Sequence, residues 1–411
     1  MKKYEIVFKN DNNGEYSFIN EKSFIEWIFQ NKSFLDNDLV FISENDTDVK
    51  RVENVYKFLK YYIGVKRKLD KVMDKYNDQL LSADNNDEIK RALMEFVRMN
   101  DSGKFLRATL IALGYNTLVN DDEYSDLALA LEVFQTSILI HDDIIDNAVV
   151  RRGKDTIPVS YINSYNIIEN TEEFKAKRSK FADSMAICIA DMGFYLAEEL
   201  IVKGYKNNKY LADILSYYHN VAIRTCHGEL IDVALPFKEE FNLNSSDLEE
   251  NIMEIYRLKT AWYSVVGPYC LGLTLGGASK ELIKKCEEIL INVGIAFQIK
   301  DDLLGIYGDE NILGKSTNSD IEEYKQTLLY SYALKTEYKD ELQKYYGKAN
   351  IKDGPKKVKE IFEKCGSKRY AEKMMNKLFK ESIDKLSSID IDSEYKDILL
   401  GFIVYLQNRS K

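Results

Sequence analysis

From about Val52 onward, apolar residues recur every three or four positions, the period of a helix with one buried face. Val55, Tyr56, Phe58, Leu59, Tyr62 and Ile63 set the pattern. It returns in Glu88–Met99, Leu106–Leu118, Asp126–Ile145, Phe181–Val202, Tyr210–Val233, Leu248–Leu275 and Lys280–Leu304. Further on it marks Ile321–Tyr346, Pro355–Cys365, Arg369–Ser387 and Tyr395–Leu406. Breaks rich in Ser, Asn and Gly separate these segments. Tyr161–Lys180 is polar, rich in Asn and Glu, and reads as an exposed insertion. The first 50 or so residues differ. Tyr4–Phe8 and Tyr16–Ile19 are short β-prone runs on either side of Asn12-Asn13-Gly14, and Asn-Gly is a strong hairpin signal. A short helix near Ser23–Gln30 and a strand at Leu39–Ile42 complete a small α+β element, with Glu44 to Asp48 as a polar link. The pattern predicts an α+β extension over residues 1–50 and a helical domain over residues 51–411.

Composition sharpens this. The 411 residues suffice for one large core or two ordinary ones. They include only 4 prolines and 20 glycines, so few residues break helices, and a many-stranded barrel or sandwich is disfavoured. The net charge of −10 does not suit a reader of nucleic-acid backbones, which needs a clustered basic surface. Five cysteines, none in CxxC spacing, give neither a disulfide framework nor a structural zinc site. The chain opens without an apolar stretch of signal length, and its longest weakly polar run, Val265 to Ala278, is too short to span a bilayer. A soluble cytoplasmic protein is expected, with at most peripheral membrane contact and no nucleic-acid partner.

The candidate chemistry begins at His141-Asp142-Asp143-Ile144-Ile145-Asp146, which ends the apolar segment Ala128 to Ile140. On a helix, Asp142 and Asp146 lie one turn apart and Asp143 lies three residues from Asp146. Three carboxylates beside apolar residues are electrostatically costly unless a cation compensates. Hard oxygen ligands of this kind suit Mg²⁺, which keeps waters and binds substrate phosphate through one or two carboxylates. A solvated helix end with three acids is the plainer reading. A second acidic pair, Asp301-Asp302, follows the apolar run Ile295 to Ile299. Two such groups could share a cluster of magnesium ions and grip a diphosphate from both sides.

Basic residues surround both groups. Gly103-Lys104-Phe105-Leu106-Arg107 places Lys104 and Arg107 three apart at a helix start, a natural anion site. Arg151-Arg152-Gly153 follows the first group. Lys259-Thr260 lies inside an apolar helix, where a lone lysine needs a partner. Gly314-Lys315 and Lys325 follow the second group. Each alone is ordinary surface charge; their placement gives them weight. Gly308 to Ser316 imitates a phosphate-binding loop but has one residue too many before Gly-Lys-Ser. The histidines His141, His219 and His227 lack helical ligand spacing.

In this order the motifs resemble the trans-isoprenyl diphosphate synthase family, which makes farnesyl, geranylgeranyl and longer prenyl diphosphates. The resemblance covers roughly Val52 to Lys411. It rests on Gly103-Lys104-x-x-Arg107, Asp142-Asp143-x-x-Asp146 with Arg151-Arg152-Gly153, and Gly228-Glu229-x-x-Asp232. Lys259-Thr260, Phe297-Gln298-x-x-Asp301-Asp302, Gly314-Lys315, Ser319-Asp320 and Lys325 complete it.

The resemblance implies an all-α helical bundle around a deep central cavity, a homodimer, and Mg²⁺-dependent condensation of isopentenyl diphosphate with an allylic prenyl diphosphate. It implies that Asp142, Asp143, Asp146 and Asp301, with Asp302 less strongly, hold magnesium, three ions once the diphosphate is bound. Arg151, Lys259 and Lys315, assisted by Lys325, would bind the allylic diphosphate. Thr260 and Gln298 would lie beside the developing cation. Lys104, Arg107 and Arg152 would bind isopentenyl diphosphate, joined by Gln135, seven residues before Asp142. The chain departs from the family pattern in three places. The second acidic group lacks a third aspartate, Glu229 replaces a common glutamine, and Ala108 replaces a common proline.

Product length is expected to depend on the helix before Asp142. Farnesyl-making members often carry aromatics where this chain has Ser137 and Ile138. The next bulky residue on about the same face is Phe134, roughly one turn further down, about 5.4 Å. That predicts a twenty-carbon product, geranylgeranyl diphosphate, unless Phe134 is ordinary core. A class I terpene cyclase, a prenyltransferase with another acceptor, and a non-catalytic subunit of a heteromeric synthase are the alternatives. Lys104, Arg107 and Arg152 argue against the first, and the intact first acidic group against the last.

Overall fold

Among the described residues, three short strands and one helix precede the helical body. In the computed structural model, residues 4–8, 16–18, 21–31, 39–42, 46–82, 86–100, 103–164, 171–239, 245–310, 317–348, 351 and 353–409 are described. β1 (Tyr4–Phe8) lies between β2 (Tyr16–Phe18) and β3 (Leu39–Ile42) and runs antiparallel to both. The expected Asn-Gly turn lies outside the described residues. α1 (Glu21–Gln30) buries Phe24, Ile25 and Ile28. α2 (Asp46–Leu81) starts within the segment expected to be a polar link. Acidic residues are favoured in a helix's first turn, so polar composition there does not separate a linker from a helix start.

Apart from one short hairpin and turns, the described residues that follow are helical, as expected for an all-α protein. Its contacts divide it into two compact units. One comprises Met1–Ile63, Leu113–Val119 and Ser216–Lys411; the other comprises Gly64–Ala112 and Asn120–Leu215.

The second of these units is built on α3 (Asp87–Asn100), the start of α4 (Leu106–Asn116), α5 (Ser125–Ile145), α6 (Ile157–Asn163) and α7 (Glu172–Tyr205). α5 packs along α7, and Gly193 permits the close approach. A Cβ on Gly193 would stand 2.1 Å from Ser137 Oγ and 2.4 Å from the Phe96 ring. Between α5 and α6, β4 (Val150–Arg151) and β5 (Lys154–Asp155) form a minimal hairpin. Its turn residues Arg152 and Gly153 both have positive φ, 54° and 76°, the signature of a type I′ turn. Of the exposed insertion expected over Tyr161–Lys180, residues 165–170 lie outside the described residues, and the two ends are helix rather than insertion. Tyr161 is fully buried in α6, with the Arg91 guanidinium 4.3 Å from its ring centroid. Residues 172–180 are the exposed first turns of α7, capped by Thr171, whose side chain accepts from the Phe174 N–H. Surface polarity marked an exposed face there, not a loop.

In the other unit, α8 (Leu211–Glu239) is followed by α9 (Ser245–Ile255), a π-helical segment (Tyr256–Val266) and α10 (Gly267–Leu275). The Leu248–Leu275 pattern therefore continues as helix but widens in its middle, where Lys259 and Thr260 sit. α11 (Lys280–Tyr307) packs against this segment and is capped by Ser279, which accepts from the Leu282 N–H. The single helix expected over Ile321–Tyr346 is broken into α12 (Ser319–Glu322), α13 (Leu328–Ala333) and α14 (Lys339–Tyr345). Tyr324, at φ 59°, stops the first, and Thr327 caps the second. The apolar period persists because the rings of Tyr324, Tyr330 and Tyr346 pack together. α15 (Gly354–Lys364), α16 (Ser367–Leu386) and α17 (Ser393–Asn408) follow. α17 lies on the first part of α2 through the Phe58–Phe402 ring contact and the Lys57–Asp397 ion pair at 2.8 Å. Among the described residues no helix is long and apolar enough to cross a membrane.

Candidate active site

The first acidic group occupies the last turn of α5. The helix stops there in a Schellman motif, with Asn147 left-handed at φ 51°. The Ala148 N–H reaches the Asp143 carbonyl at 2.9 Å, and the Asn147 N–H reaches that of Ile144 at 3.3 Å. Three carboxylates thus crowd the negative end of a helix dipole, which favours a cation beside them. They are not equivalent. Asp142 is half-buried and Asp146 exposed, whereas Asp143 is buried and accepts from Arg151 Nε at 2.5 Å. Burial pushes the Asp143 carboxyl above its ordinary value, and the pull of Arg151 only partly offsets this. Asp143 Oδ2 is buried without a hydrogen-bond partner.

Upstream on α5, Gln135 and Ile138 are half-buried, on a line continued by Asp142 and Asp146. Phe134 and Ser137 are buried instead. Phe134 packs on Phe194 of α7 with ring centroids 5.2 Å apart, and Ser137 lies beside Gly193 and Phe96. Two aromatics that the α5 sequence alone could not reveal, Phe96 and Phe194, therefore stand next to the expected chain-length positions.

The basic motif runs into the first turn of α4, with Lys104 ahead of the helix and Arg107 within it. Lys104 is exposed, Phe105 has φ 53°, and Arg107 is half-buried. Glu132 of α5 is the unforeseen member here. Its buried carboxylate accepts from the Ala108 N–H at 3.2 Å. Burial raises its pKa, opposed by the positive charges of Arg107, Arg152 and Lys66. A glutamate inside the apolar run 127–134 was the available signal.

The other unit carries the remaining candidates. Lys259 has the partners that its apolar setting demanded: Nζ lies 2.7 Å from Glu229 Oε2 and 2.8 Å from Asp232 Oδ2. A Cβ on Gly228 would stand 2.4 Å from the Lys259 nitrogen, so α8 and the π-helical segment touch at this glycine. Thr260 Oγ1 donates to Gln298 Oε1 at 2.6 Å, and Gln298 Nε2 donates to Asp302 Oδ1 at 2.9 Å. Asp301 and Asp302 diverge. Asp302 is fully buried and accepts from Tyr256 Oη, Gln298 and Lys325. Asp301 is more open and is paired with Arg409, which also lies 4.4 Å from the centroid of the Phe297 ring. Burial pushes the Asp302 carboxyl up, with Lys325 the chief opposing influence. Burial alone would lower the Lys325 pKa, but Asp320, Asp302 and Asp232 outweigh it and hold the ammonium well above its usual range. Lys315 lies outside the described residues. Tyr256 and Arg409 gave no local signal, because each meets its partner across a long stretch of chain.

Among the described residues no three acidic, histidine or cysteine side chains form a preformed metal cage. The donors still fit Mg²⁺, which binds through few carboxylates and takes its other oxygens from water and phosphate. The half-buried Asp142, the exposed Asp146 and the unpartnered Asp143 Oδ2 could supply such oxygens in one unit, and Asp301 could supply them in the other.

The family model for polyprenyl synthetase matches residues 87–365. The chain belongs to the polyprenyl synthetase family. It is thus a prenyltransferase. The geranylfarnesyl diphosphate synthase of Aeropyrum pernix is 30% identical over 286 residues, covering 69% of this chain and 82% of that one. The farnesyl pyrophosphate synthase of Candida albicans is 29% identical over 305 residues, covering 71% and 80%. A crystal structure of the geranylgeranyl pyrophosphate synthase of Corynebacterium glutamicum, complexed with isoprenyl diphosphate and magnesium, superposes with a TM-score of 0.73 at 25% identity. That match covers 86% of this chain and 99% of the other. The named products of these relatives differ in length.

Proposed function

We propose that this polyprenyl synthetase condenses isopentenyl diphosphate head-to-tail (1′-4) with an allylic prenyl diphosphate, and that its main product is geranylgeranyl diphosphate. The observation that carries the reading is the split character of the first acidic group. One half-buried, one exposed and one buried, half-satisfied carboxylate close a helix whose dipole already favours a cation.

In this reading Asp142, Asp143, Asp146 and Asp301 hold Mg²⁺, three ions in all once the diphosphate is present. Bound there, magnesium supplies charge neutralisation to the leaving diphosphate. Arg151, Lys259, Lys315 and Lys325 grip the allylic diphosphate, and Lys104, Arg107, Arg152 and Gln135 grip isopentenyl diphosphate. The allylic C–O bond breaks and its electron pair departs with the diphosphate. The isopentenyl double bond supplies the pair for the new C–C bond, and a proton leaves to the released diphosphate. Thr260 and Gln298 direct dipoles at the transient positive charge, stabilisation that is strongest where water is excluded.

Product length in this reading follows from Ser137 and Ile138 being non-aromatic and Phe134 being the next bulky side chain on α5. The same proposal takes the enzyme as a cytoplasmic homodimer, with residues 1–50 as an extension and residues 51–411 as the synthase domain. The test is incubation of purified protein with Mg²⁺, labelled isopentenyl diphosphate and allylic diphosphates of several lengths. Twenty-carbon prenyl diphosphate is expected. A cyclised hydrocarbon, or no elongated product, overturns the reading.

A further inference from the structure

We propose that Tyr256 and Asp302 are positioning residues that fix the direction of a hydrogen-bond chain ending at Thr260. The proposal rests on the condensation reading above and assigns Asp302 a role different from that of its neighbour Asp301.

The geometry is a two-rung ladder. Tyr256 and Thr260 lie four apart on the π-helical segment, and Gln298 and Asp302 lie four apart on α11. The rungs pair Tyr256 with Asp302 and Thr260 with Gln298, as two antiparallel helices require. The Leu328 N–H donates to Tyr256 Oη at 3.0 Å, and the Tyr256 hydroxyl donates to Asp302 Oδ2. Asp302 Oδ1 receives Lys325 Nζ at 3.2 Å and Gln298 Nε2 at 2.9 Å. Gln298 Oε1 then receives the Thr260 hydroxyl at 2.6 Å.

Each step has a forced polarity. The Leu328 N–H occupies a lone pair of Tyr256 Oη, and the hydroxyl hydrogen is directed at Asp302. Asp302 Oδ1 already receives the Lys325 ammonium and so acts there as an acceptor, which turns the Gln298 NH₂ toward Asp302 and its carbonyl toward Thr260. The Thr260 proton is thereby committed to Gln298. What Thr260 Oγ1 offers elsewhere is lone-pair density, the sign that stabilises a developing carbocation. A hydroxyl free to rotate would spend part of its time presenting its proton instead. Asp302 is thus the residue that sets the sign of the dipole, and Tyr256 holds Asp302 in place without approaching substrate. π-Helical turns often occur at functional sites, and this one carries both Tyr256 and Thr260.

The test is a double-mutant cycle on the full-length enzyme. Asp302→Asn keeps shape but can present either an oxygen or an NH₂ to Gln298, and Tyr256→Phe removes only the hydroxyl. Each is expected to lower kcat about ten-fold, the scale of one misdirected hydrogen bond. KM for isopentenyl diphosphate should stay within about two-fold in both variants, and KM for the allylic diphosphate should do so in Tyr256→Phe, which leaves the Asp302–Lys325 pair in place. In a Thr260→Val background neither substitution should lower kcat further. Equal losses in both backgrounds mean a merely structural role and overturn the proposal. The side-chain amide resonances of Gln298, identified by their loss in Gln298→Ala, give a readout independent of turnover. They should move in Asp302→Asn, and an unmoved pair overturns the proposal even if the wild-type protein proves to make no prenyl diphosphate. That last outcome would defeat the condensation reading alone.

Discussion

Gly228 and Lys259 touch: a Cβ added to the glycine would lie 2.4 Å from the lysine's backbone nitrogen. The same residues of α8 that permit this contact carry Glu229 and Asp232 up to the lysine's ammonium. Gly228→Ala must therefore push the π-helical segment away from α8. Overpacking of this kind costs about 1–3 kcal/mol. The substitution is expected to lower stability by that amount in urea unfolding and to raise KM for the allylic substrate through a displaced Lys259. Unchanged unfolding and kinetics would show that the contact relaxes freely.

Phe134 packs on Phe194 beneath the half-buried line that leads to Asp142. Phe134→Ala removes one ring of that pair and should shift the product toward chains longer than twenty carbons. It should also cost about 3–5 kcal/mol of stability, as other buried Phe→Ala changes do. Chromatography of the dephosphorylated products decides the first point. An unchanged distribution would make Phe134 ordinary core and leave product length to other residues.

Glu249 gives a pH signature away from the chemistry. Burial raises its carboxyl pKa, but hydrogen bonds from Lys335 and Tyr370 more than reverse this and leave it below its ordinary value of 4.5. A carboxylate held lower in the folded state contributes stability above its unfolded pKa and loses it as pH falls through the folded one. Glu249→Gln should therefore be less stable than wild type at pH 7, with the gap closing as pH falls below the ordinary glutamate range. Urea unfolding across that range checks it, and a gap that persists at low pH contradicts it.

The helical body was legible in the sequence because one buried face per helix leaves a period that composition cannot hide, as α5 and α11 show. Where a segment keeps that period but changes its backbone, periodicity misleads. The Ile321–Tyr346 pattern survives as three short helices because three tyrosine rings hold them together, and Tyr324 breaks the backbone between them. Polar stretches mislead in the other direction: Asp46 to Asp48 and residues 172–180 are helix starts, not links. At the candidate site, motif residues such as Lys259 and Gln298 were visible because their neighbours in sequence mark them. Glu132, Tyr256 and Arg409 were passed over because their partners come from other elements, and sequence spacing carries no record of such meetings.

Because no three ligands are preassembled among the described residues, magnesium alone should bind weakly. A thermal-shift series is expected to show little change with Mg²⁺ or with pyrophosphate separately and a clear rise with both, since only joint binding completes the coordination sphere. A full shift with Mg²⁺ alone would point to a closed protein cage. Removal of the metal with a chelator should abolish condensation, and excess Mg²⁺ should restore it.

The most direct measurement is anomalous diffraction from crystals grown with Mn²⁺ in place of magnesium and an unreactive thio-analogue of the allylic diphosphate. The account predicts metal peaks within ligand distance of Asp142 and Asp146 and of Asp301, all bridged by the oxygens of one diphosphate. Metal bound at only one of these aspartate groups, or two groups of peaks with no shared diphosphate, would contradict it.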